Sequence, residues 1–163
     1  MEAWPEGRDA ATESTVETVP YRPMRDDEVR AFLTALPARP AILGTVRVDG
    51  RPHVAPIWYA VDGDGAILFT TGDATVKGRN LRRTGWAAMS VDDDAAPFSF
   101  VTLEGPVTIS DDLAEVRRWA AVIGGRYMGA DRADEYGQRN GVPGELVVRL
   151  TPEKVVSASD VAD

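Results

Sequence analysis

The stretch AILGTVRVDGRPHVAPIWYAVDGDGAILFTT, residues 41–71, decides the fold. It holds three runs rich in β-branched and aromatic side chains, separated by Asp49-Gly50 and by Asp62-Gly63-Asp64-Gly65. Asp-Gly between such runs favours a hairpin, because a tight primed turn needs positive φ at its central residues. Three antiparallel strands in a meander are therefore expected. Downstream, WAAMSVDD (86–93) and PFSFVTLEGPVTISD (97–111) read as two more strands, the second long and broken at Gly105-Pro106. GELVVRLTPEKVVSASD (144–160) supplies a final strand or two.

Helices flank these strands. RDDEVRAFLTALPARP offers Asp26 or Asp27 as cap, Val29, Phe32, Leu33 and Leu36 as one apolar face, and Pro37 as the stop. DDLAEVRRWAAVIGGRYMG is capped by Asp111 or Asp112 and places Leu113, Val116, Trp119, Ala120 and Ile123 near helical spacing. A further helical piece, DRADEYGQRNG, ends at Gly141. The fold class is mainly β, an antiparallel barrel of six or more strands with helices at its margins. Residues 1–24 lack apolar periodicity and are expected to form a flexible arm ahead of one domain over 25–160.

Composition narrows the function. At 163 residues the chain suits a single domain. No apolar run approaches the ~20 residues of a membrane span, and residues 1–24 have neither the basic start nor the apolar centre of a secretory signal. A cytoplasmic location is expected. The chain has no cysteine and one histidine, His53, so thiolate metal sites, disulfides and thiol catalysis are excluded, and an imidazole-rich zinc site is not expected. A net charge of −8 argues against nucleic-acid binding, which needs an extended basic face. A small-molecule partner remains.

Against that acidic background, TTGDATVKGRNLRRTG (70–85) gathers Lys77, Arg79, Arg82 and Arg83, and no carboxylate occurs between Ala74 and Val91. Thr70 and Thr71 end a strand, Gly72 turns the chain, and Asp73 or Thr75 can cap a helix running to about Arg83. With Thr75 as cap, Lys77 falls in the first turn, where the helix dipole disfavours a cation and favours an anion. Strand end, hydroxyls, glycine turn, helix N-terminus and lysine together make a phosphate cradle. The alternative is a solvated basic helix face.

The segments DGRPHVAPIWY, FTTGDATVKGRNLRR, DDDAAPFSFV and RYMGADRADEYGQRNGVPGEL resemble the split β-barrel flavin and deazaflavin oxidoreductases related to pyridoxamine 5′-phosphate oxidase. They are most similar to the branch that uses coenzyme F420 and includes biliverdin-reducing members. The resemblance spans about residues 26–157 and implies a homodimer with a cofactor in each of two clefts between subunits. It implies that Pro56, Ile57 and Trp58 flank the ring, that Thr70 and Thr71 approach the ring or its side chain, and that Lys77 binds phosphate. Arg79 and Asn80, on the same helix, join this cofactor-binding set. Flavin-using oxidases of this kind often carry a basic residue directly before the lysine; here it is Val76. The extra charge lies downstream at Arg79, Arg82 and Arg83, which suits a phosphate continuing into an oligoglutamate tail. FMN is the alternative cofactor, and a non-catalytic cofactor or tetrapyrrole carrier is the alternative role.

The resemblance also implies that Arg126 and Tyr127 belong to a segment closing over the site, where they contact substrate or the coenzyme tail. Otherwise they are a helix-end cation and a packed aromatic. Trp58 likewise has a second reading as a core or interface aromatic. His53, alternating with Val54, is expected to face solvent or a partner subunit. It lies too early in the chain for the late Arg and His pair of pyridoxamine phosphate oxidases, so vitamin B6 oxidation is not expected. Asp92, Asp93 and Asp94 point in different directions on an extended chain and read as an acidic loop, not a metal site.

Overall fold

The computed structural model describes residues 22–162. Helix α1 (Asp26–Thr34) precedes β1 (Ala41–Val46), β2 (Pro52–Ile57), β3 (Ala60–Val61) and β4 (Ile67–Gly72). Next come α2 (Val76–Thr84), β5 (Trp86–Asp93), β6 (Ser99–Ser110) and α3 (Leu113–Met128). A short 3-10 turn (Ala130–Arg132) leads into α4 (Ala133–Asn140), followed by β7 (Glu145–Leu150) and β8 (Lys154–Ala158). All strand pairs are antiparallel, in the order β2-β1-β5-β6-β7-β4-β3, with β8 also on β6. The sheet curls into a half-barrel with flanking helices, the mainly β split barrel expected. No helix among the described residues is long and apolar enough to cross a membrane.

The meander over 41–71 divides into two hairpins. β1 pairs β2 and β3 pairs β4, but β2 pairs neither β3 nor β4. The break falls at Trp58-Tyr59. The Tyr59 N–H donates to the Tyr127 hydroxyl at 3.3 Å instead of a ladder carbonyl, and the Tyr59 hydroxyl is drawn inward to the Leu33 carbonyl at 2.9 Å. With its donor taken by a side chain, the ladder stops, and the chain crosses the opening of the barrel.

β6 does not break at Gly105-Pro106; it continues and changes partners there. Before it, Phe100 to Glu104 pair β8; after it, Val107 to Ser110 pair β7. A Cβ on Gly105 would lie 2.0 Å from the Thr151 carbonyl oxygen, so only glycine admits the strand so close to its neighbour.

The barrel interior is filled by Leu43, Tyr59, Ile67, Phe69, Leu81, Met89, Leu103 and Leu150. A smaller cluster of Ala66, Leu68, Val116 and Val147 packs β4 and β7 against α3. α1 is capped one residue before Asp26, the earlier of its two expected caps: Arg25 holds the cap position, and the Glu28 carboxylate accepts from its backbone N–H at 2.9 Å. The helix ends at Thr34, so Leu36 misses the apolar face and is exposed. Asp112 caps α3 by accepting from the Glu115 N–H at 2.8 Å. Residues 1–21 of the expected arm lie outside the described residues; from Arg22 the chain docks on the C-terminal region, with Arg22 bridging to Ser159 and the Met24 N–H bonded to Ser157 Oγ.

Candidate functional site

The end strands of the sheet, β2 and β3, are consecutive in sequence, and a cleft of about 340 Å³ lies beside this crossing. Pro56, Ile57 and Trp58 line one wall, Thr70 and Lys77 a second, and Ala120, Ile123 and Gly124 of α3 a third, with Asn140 at the end of α4. Five of the sequence-derived site residues thus meet in one space. Lys77 is the only charged residue among those lining it.

Lys77 owes its place to a local motif. Thr75 caps α2, its Oγ1 accepting from the Gly78 N–H at 3.0 Å while donating to the Gly72 carbonyl at 2.7 Å. The cap satisfies the third donor of the helix, and helix geometry leaves the N–H groups of Val76 and Lys77 without intrahelical acceptors. Gly78 allows the turn to lie against the helix, since a Cβ there would stand 2.4 Å from the Gly72 carbonyl oxygen.

Other expected site residues are placed elsewhere. Thr71 alternates with Thr70 and is buried on the opposite face of β4, its hydroxyl 3.1 Å from that of Thr75. Asn80 is buried and donates to Thr45 Oγ1 at 3.1 Å. Arg79 donates to the Ala74 carbonyl, Arg83 to the Val46 carbonyl, and Arg82 pairs with Asp73 at 2.5 Å. Arg79 and Arg83 line, with Arg47, a second groove beside the β1–β2 turn.

Arg126 donates to the carbonyls of Leu33 and Thr34, at 2.7 and 3.1 Å, and so closes the C-terminal end of α1. Tyr127 stacks on Trp58, ring centroids 4.9 Å apart, and donates its hydroxyl to the Arg39 carbonyl at 2.9 Å. It supports the aromatic wall from behind. Burial pushes the Tyr59 phenol up to about 12 and raises that of Tyr127, so both stay neutral hydrogen-bonding groups at physiological pH.

Val54 takes the exposed outer face of β2, whereas His53 is half-buried beside Thr45, with Nδ1 buried and unpartnered. Asp93 at the end of β5 pairs with Arg39 at 2.5 Å and accepts from the Ala95 N–H, as a loop-organising acid does.

Two features escaped the sequence reading, one in a wall of the cleft and one outside its lining, beside the turn into α2. Ala120 and Ile123 were read for their helical spacing only and given no part in the site. Glu145, paired opposite Gly72 across the β4–β7 ladder, carried no local signal at all. Burial raises its carboxyl above the usual range, and the nearby positive charge of Lys77 works against that rise.

Fold and cleft together define a class: a split antiparallel barrel with an aromatic-walled opening and one lysine in the first turn of the adjoining helix. The chain belongs to the pyridoxamine 5′-phosphate oxidase family, whose model matches residues 26–158. It is 30% identical over 139 residues to the F420H(2)-dependent biliverdin reductase of Mycobacterium tuberculosis (strain CDC 1551 / Oshkosh), covering 84% of this chain and 90% of that protein. A solved conserved hypothetical protein from Mycobacterium tuberculosis is similar with a TM-score of 0.72 at 26% identity, over 84% of this chain and 86% of that one. A solved F420 reductase aligns with a TM-score of 0.57 at 28% identity, over 75% of this chain and 90% of that one.

Proposed function

We propose that the protein is a coenzyme F420-dependent reductase that acts as a homodimer on a conjugated small-molecule acceptor. The observation that carries this reading is the convergence of Ile57, Trp58, Thr70 and Lys77 on one cleft, with a single cation at a helix start and apolar walls around it. Such a cleft fits a planar ring joined to an anionic side chain. When bound, the reduced deazaflavin supplies a hydride to an electron-poor acceptor.

The residues of this chain do the rest. Lys77 and the free N–H groups at the start of α2 hold phosphate, Thr70 donates beside them, and Trp58, backed by Tyr127, gives the ring a rigid wall. Ala120 and Ile123 keep water from the inner face. Arg79 and Arg83, with Arg47, provide a basic surface for an oligoglutamate tail. No lining residue forms a nucleophile–base pair, which suits chemistry carried by the cofactor.

The dimer reading rests on the outer face of the first half-sheet. Ile42 and Val46 of β1, Val54 of β2 and Val156 of β8 are all exposed there, and cross-strand register sets Ile42 beside Pro56 and Gly44 beside Val54. Apolar surface of this extent on a small barrel marks an interface, and obligate ones bury ~2,000 Å² or more.

The test is to titrate the protein with coenzyme F420 and with FMN, then follow oxidation of the reduced deazaflavin with biliverdin as a conjugated acceptor. Tight deazaflavin binding with turnover supports the reading; preferential FMN binding replaces the cofactor; binding without oxidation by any conjugated acceptor makes the protein a carrier. Lys77→Ala should weaken deazaflavin binding by about 1.5–3 kcal/mol with the circular-dichroism spectrum unchanged. Unaltered affinity in that variant would remove Lys77 from the site.

A further inference from the structure

Glu145 opens β7 directly opposite Gly72, the residue that turns the chain into α2. In that ladder Gly72 and Glu145 share a face with Thr70 and Val147, because side chains alternate along each strand. This is the face that carries Thr70 into the cleft with Lys77. The Glu145 carboxylate stands close to the turn, its Oε1 3.3 Å from where a Cβ on Gly72 would lie. A negative group therefore lies beside the turn into α2, close enough to Lys77 to feel its charge.

The other charges nearby do not offset it. Asp73 and Arg82 neutralise each other in their ion pair. Arg79 and Arg83 are turned to backbone carbonyls beside a different groove. From the α3–α4 side, Arg117 is held on the Gly141 carbonyl at 3.0 Å. Among the described residues, that leaves Lys77 and Glu145, one charge of each sign, and the first-turn N–H groups of α2. Such a site accommodates one negative charge well and a second poorly.

We propose that Glu145 is a specificity-determining residue that makes the cradle select a phosphodiester over a phosphomonoester. The proposal rests on the reading of the cleft as a cofactor site. A diester, such as the phosphate of coenzyme F420, carries one charge; a terminal monoester, as in FMN, carries about −1.5 to −2 at pH 7. The second charge of the monoester is repelled by Glu145 and finds no second cation among the described residues that line the cleft. Burial raises the Glu145 carboxyl, and an approaching dianion would raise it further. Monoester affinity should therefore fall with rising pH, as both groups ionise, more steeply than diester affinity.

The experiment compares coenzyme F420, FMN and riboflavin, which has no phosphate, on the full-length protein and its Glu145→Gln variant from pH 6 to 8.5. The variant should bind FMN ~5-fold or more tightly than wild type at pH 8, on the scale of one screened charge removed within several ångströms. Deazaflavin affinity should rise only about half as much on a logarithmic scale, roughly 2-fold, because the diester carries about half the charge; riboflavin affinity should not change, and the pH dependence for FMN should flatten. Equal gains for FMN and the deazaflavin, or no gain for FMN, would overturn the proposal. A second arm does not depend on the cofactor: inorganic phosphate and dimethyl phosphate are titrated while the Lys77 amide resonance is followed. Wild type should favour dimethyl phosphate relative to the variant. If neither cofactor binds but this preference moves with Glu145, the cofactor reading fails and the charge rule stands; if the preference does not move, the charge rule fails. Should the variant not fold, the steeper pH dependence of FMN than of deazaflavin binding to wild type decides the matter.

Discussion

One hydroxyl, that of Tyr127, ties three segments of the chain together. It donates to the Arg39 carbonyl and accepts from the Tyr59 N–H, while its ring lies flat on Trp58. Tyr127→Phe keeps the ring but strands two part-buried backbone groups, so urea denaturation should register a loss of about 1–3 kcal/mol. A loss below the low end of that range would mean that water replaces the hydroxyl. Residue identity alone could not reveal this role. Arg126 and Tyr127 were legible as the end of an amphipathic helix, but their partners, α1 and the β2–β3 crossing, are about 70 to 90 residues away in sequence. Thr70, Thr71 and Lys77 were legible as a group because strand end, turn and helix cap follow one another directly. Which threonine faces the cleft depends on the pleat.

At the scale of elements, what was legible is what is local. The Asp-Gly turns, with Gly50 and Gly65 at φ values of 83° and 86°, made hairpins evident. The start of α2 was legible as Asp73 or Thr75 and that of α3 as Asp111 or Asp112; Thr75 and Asp112 are the caps. The split of the 41–71 meander was not, since it is caused by the hydroxyl of a distant tyrosine. Gly105-Pro106 read as a break in one long strand and proved to be a change of partners within a continuous one, because a break in side-chain pattern does not distinguish an interruption from a change of partners. Gly105→Ala tests that account: its Cβ would overlap the Thr151 carbonyl, and forcing the strands apart should cost about 1–3 kcal/mol. A thermal melt with an unchanged midpoint would mean that the bend has slack.

For the whole molecule, the dimer reading makes a direct demand on Val54, which points out of β2 and is 66% exposed. Val54→Glu places like charges across a two-fold interface, so sedimentation at micromolar concentration should move from dimer to a 17.6 kDa monomer. A compact monomer for the unaltered protein would remove the interface instead.

β7 lies between β6 and β4, and this position sets an order of assembly. Seen from a ribosome, the hairpins β1–β2, β3–β4 and β5–β6 each emerge with their partner at hand. β4 waits for residues 145–150, which arrive more than seventy residues after it. Until then the wall that carries Thr70 has an open edge, available to chaperones or to another nascent chain. The cleft is thus among the last parts of the molecule to come into being.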